Sequence, residues 1–448
     1  MSNAYRKLGS LTTYALVLSA FSEAAAGGFT LEHQNAAALG RAFAGAEAER
    51  GEPAFAAYNP ASIAGIANAE IDLSATGFFP MTRYDNASGT LLGVAPVAGD
   101  TADEGVIPSA LIPNVTIAFP VSDRLTLGLV ANAPFGLKTR YSETSAVRYQ
   151  ARDSELKVIE LTPVIALEIT DNFAIGAGLR LQYADLSLTS TIDAGGIAAA
   201  SLIPGFAPQS SDLDASFKGD DIDLGYVIGA QAALSPRLHA GVSFHSKVDH
   251  GISGDAQFDL AGSAAGQILN GAAGLFGADR FSTSLATPGS VAFGGRFAAT
   301  DRFALLASGK RTFWSSFDVV AVAFNDGATP PEVVTQNWSD SWQASLGAEF
   351  EATKSTTLRA GLMWDQSPVN ETFEHPRVPD GDRVWFAAGV SQAFGARVSG
   401  DLGVAYAIFD DTHFALDGST QENLFRGAFT GDYEIEAIAV SGTLRLQF

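Results

Sequence analysis

From about Ala69 onward, apolar and polar residues alternate with a period of two. Ile71, Leu73 and Ala75 interleave with Asp72, Ser74 and Thr76; Ile222, Leu224, Tyr226 and Ile228 interleave with Asp221, Asp223 and Gly225. Trp342, Ala344, Leu346, Ala348 and Phe350 alternate in the same way with Ser341, Gln343, Ser345 and Glu349. This period puts one face of each strand among apolar neighbours and the other among polar ones. Segments 337–351 and 396–410 exceed ten residues, enough for a tilted strand to cross a bilayer. Short turns such as Ser235-Pro236-Arg237 and Thr300-Asp301-Arg302 alternate with long polar or Gly/Ala-rich loops at 191–218, 261–284 and 411–431. The pattern predicts an all-β chain, a membrane-spanning antiparallel β-barrel of about 14 strands with its apolar face to lipid and its polar face to the lumen.

The first residues follow another pattern. Arg6 and Lys7 precede an apolar core from Leu11 to Phe21, and Ala24-Ala25-Ala26 supplies small residues for cleavage, so residues 1–26 read as a secretory signal peptide. Residues 27–68 are Ala-rich, with Leu39 and Phe43 at helical spacing weakened by Gly40 and Gly45. Tyr58-Asn59-Pro60-Ala61 then forms a helix-stopping turn. This segment is a periplasmic extension or a hatch inside the lumen, ahead of a barrel running from 69 to 448.

Composition narrows the function. Hydrophobic residues make up 47% of the 448-residue chain and charged residues 17%, yet no apolar run in the mature chain approaches the ~20 residues of a membrane helix. The formal charge of −22 argues against nucleic acid, and there are no cysteines. The acidic balance fits a surface set among outer-membrane lipid, lipopolysaccharide and divalent cations. An enzyme such as an outer-membrane phospholipase needs a Ser/His or Asp/His constellation. His245, His250 beside Asp249, and His413 beside Asp410-Asp411 stand without G-x-S-x-G or H-E-x-x-H, and read as solvated loop residues. Asp380 and Asp382 could meet a metal, but Pro379-Asp380-Gly381-Asp382 reads equally as a tight turn. No cofactor is called for. A general porin would keep an open lumen, which the hatch-like segment opposes.

An ordered set of motifs resembles the long-chain fatty acid transporter (FadL-type) family of Gram-negative outer-membrane proteins, which includes members that take up aromatic hydrocarbons. These are Gly28-Phe29, the run Leu39 to Gly45, Asn59-Pro60-Ala61, the run Asn132 to Leu137, and Phe313-Trp314-Ser315-Ser316-Phe317. Trp364 to Pro368, the run Val378 to Trp385 and the terminal Phe448 complete the set. The resemblance implies a fourteen-stranded barrel with an N-terminal hatch. It implies passive capture of hydrophobic molecules, long-chain fatty acids by default, and their sideways release through a gap in the wall. Phe448 resembles the signal read by the barrel assembly machinery. Neutral alkanes or monoaromatics are the alternative cargo.

The resemblance places Gly27, Gly28 and Phe29 beside the ligand, Asn59, Pro60 and Ala61 at a hatch turn, and Asn132, Pro134, Phe135 and Gly136 at the lateral gap. Pro134 has no N–H to give a neighbouring strand, so the residues allow either a gap or an ordinary strand end. The Asn59 turn can likewise be a static one. Family members that bind fatty acids hold the carboxylate with a basic residue. The aligned positions are Ser190 and Ser339, neither basic, which leaves Arg180, Lys310 and Arg311 as candidates or makes the cargo neutral.

Overall fold

The computed structural model describes residues 28–448; the segment 1–26 expected to be a signal peptide, and Gly27, lie outside the described residues. Fourteen long strands form the wall. They are β1 (Glu70–Leu91), β2 (Ala110–Pro120), β3 (Leu125–Arg140), β4 (Asp153–Thr170), β5 (Phe173–Ile192), β6 (Leu213–Ser235) and β7 (Leu238–His245). The second half comprises β8 (Ser290–Ala298), β9 (Phe303–Thr312), β10 (Ser341–Thr353), β11 (Thr356–Asp365), β12 (Arg383–Ala393), β13 (Val398–Phe409) and β14 (Ala428–Gln447). Each pairs antiparallel with the next, and β1 closes the barrel on β14 from Glu70↔Gln447 to Thr90↔Ala428. Closure matters because a backbone group left unpaired in hydrocarbon costs several kcal/mol, so a spanning sheet has no free edge. Among the described residues, no helix is long and apolar enough to cross a membrane.

The alternation becomes facing. On β10, Ser341, Ser345 and Glu349 are buried inward, while Trp342, Leu346 and Phe350 are exposed on the outer surface. Ile222, Leu224, Tyr226 and Ile228 of β6 are exposed in the same way. Strand pairs at one end meet through tight turns, as at Ser235↔Leu238 and Thr353↔Thr356, whereas the opposite end carries the long loops. These loops hold more structure than their composition implies. Helices Ala194–Ala200 and Ala264–Ala273 rise from two of them and pack around Ala198, Leu269 and Phe276.

The hatch segment is less helical than the Leu39/Phe43 spacing predicts. Only Ala36–Leu39 forms an α-helix, capped by the Asn35 side chain accepting from the Ala38 N–H at 2.7 Å. Ala42, Phe43 and Gly45 then take positive φ and turn the chain along the wall, with single 3₁₀ turns at Ala46–Ala48, Pro53–Phe55 and Pro60–Ile63. Packing against the barrel, not helix propensity, shapes the segment.

Candidate functional site

The hatch fits because the wall is pared down where it touches. Gly176↔Gly229, Gly241↔Gly294, Gly347↔Gly361 and Gly389↔Gly403 are directly opposed pairs on adjacent strands. A Cβ on Gly361 would lie 2.2 Å from the Arg41 carbonyl, one on Gly241 1.8 Å from the Glu47 oxygen, and one on Gly403 2.5 Å from the Ala36 oxygen. The hatch backbone therefore rides on a belt of glycines around the inner wall. No other residue permits that approach.

Asn59 is fully buried within this contact. Its Oδ1 accepts from the Ala61 N–H at 3.0 Å, and its Nδ2 donates to the carbonyls of Glu47 at 2.8 Å and Ala230 at 3.2 Å. One amide thus closes the Pro60–Ile63 turn and fastens it to β6.

On the short-turn side the hatch is held by charge. Arg41 donates to Glu49 at 2.7 Å and to Glu349 of β10 at 2.8 Å, and Glu349 also accepts from Arg359 at 2.8 Å. Arg445 of β14 reaches Glu52, Glu70 and Asp72. These groups border a vestibule of about 720 Å³.

On the other side the surroundings turn apolar. Phe29 is buried in an aromatic box, its ring centroid 4.6 Å from Trp314, 5.3 Å from Phe317, 5.8 Å from Trp338 and 6.0 Å from Phe135. Phe29, Phe135, Phe217, Phe281 and Phe317 line one interior cluster. The Gly28 N–H donates to Asp380 Oδ2 at 2.9 Å. Asp380 sits in loop 366–382, which folds inward across the lumen. Tyr141 donates to the Pro376 carbonyl at 2.6 Å, Thr139 donates to the Arg377 carbonyl at 3.1 Å, and Val378 joins the aromatic cluster. Burial next to Arg377 and Arg426 holds His375 well below the usual histidine range. Burial also pushes Arg377 down to about 10 despite the neighbouring Glu332.

The wall is irregular between Asn132 and Phe135. The β3/β4 ladder runs to Asn132↔Glu160 and resumes at Phe135↔Val158, so Ala133 and Pro134 stand opposite Ile159 alone. This is a β-bulge, in which the extra residue bends its strand. On its other edge β3 stops pairing with β2 beyond Asn132↔Asn114. The N-terminal segment takes over that edge, with the Leu31 N–H donating to the Pro134 carbonyl at 2.8 Å and the Gly136 N–H to the Phe29 carbonyl at 2.9 Å. Pro134 therefore interrupts β3 within its length, and the strand continues to Arg140. Behind the bulge lies a cavity of about 70 Å³ lined by Gln34, Asn132, Pro134, Phe135, Glu160 and Lys310, among others. A second irregularity, where β6 leaves β7 beyond Val227↔His245, is backed by an inward ribbon that pairs Val248–His250 with Leu285–Thr287.

Each basic candidate already has a carboxylate partner. Arg180 donates to Glu160 at 2.8 Å, Lys310 pairs with Glu32, and Arg311 donates to Asp340 at 3.1 Å while lying over the Trp342 ring. Ser190 is buried on β5, but Ser339 is exposed, and it is the preceding Trp338 that enters the aromatic box. Trp314, Phe317 and Trp338 carried no individual role in the sequence, although two of them lie in the aromatic–serine motif. The acidic and histidine positions are absorbed locally. Asp380 bonds Arg383 and Ser367, Asp382 accepts from the Ser367 N–H, Asp249 pairs with Lys247, and His250 faces Asp221. No group of three or more His, Asp or Glu that could hold a metal ion occurs among the described residues. Phe448 is exposed, its N–H donating to the Ala69 carbonyl at 3.0 Å.

Comparison with known proteins matches residues 17–448 to the family model described as outer membrane protein transport protein (OMPP1/FadL/TodX). The chain is 24% identical over 405 residues to a long-chain fatty acid transport protein of Escherichia coli, covering 86% of this chain and 87% of that one. A crystal structure of a Pseudomonas aeruginosa FadL homologue superimposes with a TM-score of 0.85 at 24% identity, covering 94% of this chain and all of that one. The Pseudomonas putida toluene transporter TodX superimposes with a TM-score of 0.65 at 17% identity, covering 94% of this chain and all of that one.

Proposed function

Because the chain belongs to the OMPP1/FadL/TodX family of outer-membrane transporters for hydrophobic compounds, we propose that it takes up its cargo passively and releases it sideways through the bulge at Asn132–Phe135. One observation carries this reading: the route along the barrel axis is floored by paired charges, whereas the wall beside the aromatic box is broken. An apolar molecule moving axially would have to part Arg41 from Glu349 and Arg445 from Asp72. Separating a buried pair costs about 3–5 kcal/mol. The lateral path requires only that residues 29–31 leave the edge of β3.

In this scheme cargo partitions onto the apolar residues of the outer loops, such as Leu202 and Ile268, and passes to the pocket occupied by Phe29. Displacement of Gly28–Leu31 then frees the bulge. Asn59-Pro60-Ala61 keeps the body of the hatch on the wall while its leading end moves. Long-chain fatty acids are the default cargo, in line with the name of the Escherichia coli relative. A second reading, neutral hydrocarbons, is favoured by the pairing of Arg180, Lys310 and Arg311, since a carboxylate would have to displace Glu160, Glu32 or Asp340. TodX, which shares the fold, is named for such a cargo.

The test is uptake of radiolabelled oleate and of toluene by cells whose only transporter of this class is the present chain. Entry of either compound above the background of empty cells supports the function, and entry of neither overturns it. Oleate entry with toluene at background selects the fatty acid, and the reverse selects the hydrocarbon.

A further inference from the structure

We propose that the opening at the bulge recognises a hydrogen-bond donor, the hydroxyl of an otherwise apolar and uncharged molecule, through the side-chain oxygens of Gln34, Asn114 and Asn132. The proposal rests on the lateral-release reading and names the chemistry selected there.

The three residues meet at one place. Asn114 and Asn132 are the last opposed pair of β2 and β3 before the strands part. Gln34 joins them from the hatch: its Nε2 donates to the Ala133 carbonyl at 3.1 Å and to the Leu31 carbonyl at 2.6 Å. Asn114 Nδ2 donates to the Gln34 carbonyl at 2.8 Å. With both amide nitrogens committed to carbonyls, the orientations of Gln34 and Asn114 are fixed, because the reverse flip would set oxygen against oxygen. Their oxygens are buried without a donor, and so is the Asn132 oxygen. All three residues are more than nine-tenths buried, at 4%, 2% and 6% exposure.

A buried amide oxygen without a donor costs about 1–3 kcal/mol, so three together make a site that gains by accepting. Gln34 and Asn132 line the cavity behind the bulge. Its charged lining adds the same preference, with Glu32, Glu47 and Glu160 set against Arg180 and Lys310. A carboxylate there meets lone pairs and excess negative charge, and an alkane leaves the oxygens unanswered. A hydroxyl gives its one proton to one of them, and its apolar body continues through the wall.

The experiment measures equilibrium binding of hexadecan-1-ol, 1-methoxyhexadecane and hexadecanoate at pH 8.5 to the full mature chain in nanodiscs. The alcohol is expected to bind about tenfold more tightly than the ether, the value of one hydrogen bond to a buried acceptor. Hexadecanoate is expected to bind more weakly than the alcohol. Asn132→Leu should reduce the preference, read as the ratio of alcohol to ether binding on the variant itself, and it removes an oxygen that has no donor to lose. Gln34→Met should reduce it as an independent check. Equal binding of alcohol and ether, hexadecanoate bound as tightly as the alcohol, or a preference that survives both substitutions would overturn the proposal. Failure of all three compounds to bind would overturn the proposal together with long-chain cargo, while toluene uptake decides the transport reading separately.

Discussion

Leu31 and Pro134 share a backbone hydrogen bond of 2.8 Å, so the leading end of the hatch is stitched to the wall at the point where β3 bulges. In the proposed route, pocket and exit are therefore mechanically joined. A molecule that dislodges Phe29 pulls on the residue two positions from the bond that guards the bulge.

Phe29→Ala removes the centre of the aromatic box. Deleting a buried phenylalanine ring costs on the order of 3 kcal/mol, and here that loss falls on the seating of the hatch tip. We expect tighter capture of a fluorescent long-chain ligand, which no longer has to displace the ring, with the heat-modifiable gel mobility of the folded barrel unchanged. Unchanged capture would remove Phe29 from the pocket.

The glycine belt predicts steric ejection. In Gly361→Val the new Cβ would lie 2.2 Å from the Arg41 carbonyl, contact that only movement of the hatch relieves. Liposomes carrying the variant should swell several-fold faster in small sugars than those carrying the parent chain. Equal rates would mean that the hatch does not depend on this fit.

Loop 366–382 should loosen in acid. His375 Nδ1 accepts from the Arg377 N–H at 3.2 Å, which requires a neutral ring, and Arg377 and Arg426 oppose a charge there. The folded-state pKa is depressed, so below the ordinary value of about 6.5 a released histidine binds a proton that the buried one does not. The stability of the closed loop therefore falls as pH drops through that range. Amide protection factors within 366–382, each taken against the intrinsic exchange rate at the same pH, should be lower at pH 5 than at pH 7.5, and His375→Phe should flatten the difference. An unchanged pH dependence in the variant would assign the effect to another group.

The barrel was legible because its signal is repeated: the alternation at Ser341–Phe350 is the facing of β10, strand by strand. The bulge was half legible. Proline in a strand run announces a break, but which residues replace the lost pairing depends on a segment about one hundred positions earlier in the chain. The glycine belt was not legible, because Gly241 and Gly403 differ from any other glycine only by the backbone that lies over them. Ser339 marks the same limit from another side. Alignment led to the right neighbourhood, while facing decided that Trp338, not Ser339, enters the lumen. The partners of Arg180 and Lys310 also come from distant positions, so no local pattern shows that these bases are already paired.

The most direct test of sideways release is to remove the bulge and keep everything else. Deleting Ala133 leaves one residue opposite Ile159 and lets the β3/β4 ladder run straight. Uptake of a labelled hydrophobic substrate, oleate or toluene, would be compared in cells bearing the parent and the deletion at equal levels of folded barrel. Sideways release predicts that uptake falls to the background of empty cells while ligand binding by the purified deletion variant persists. Uptake at the parental rate through a straightened wall would contradict it.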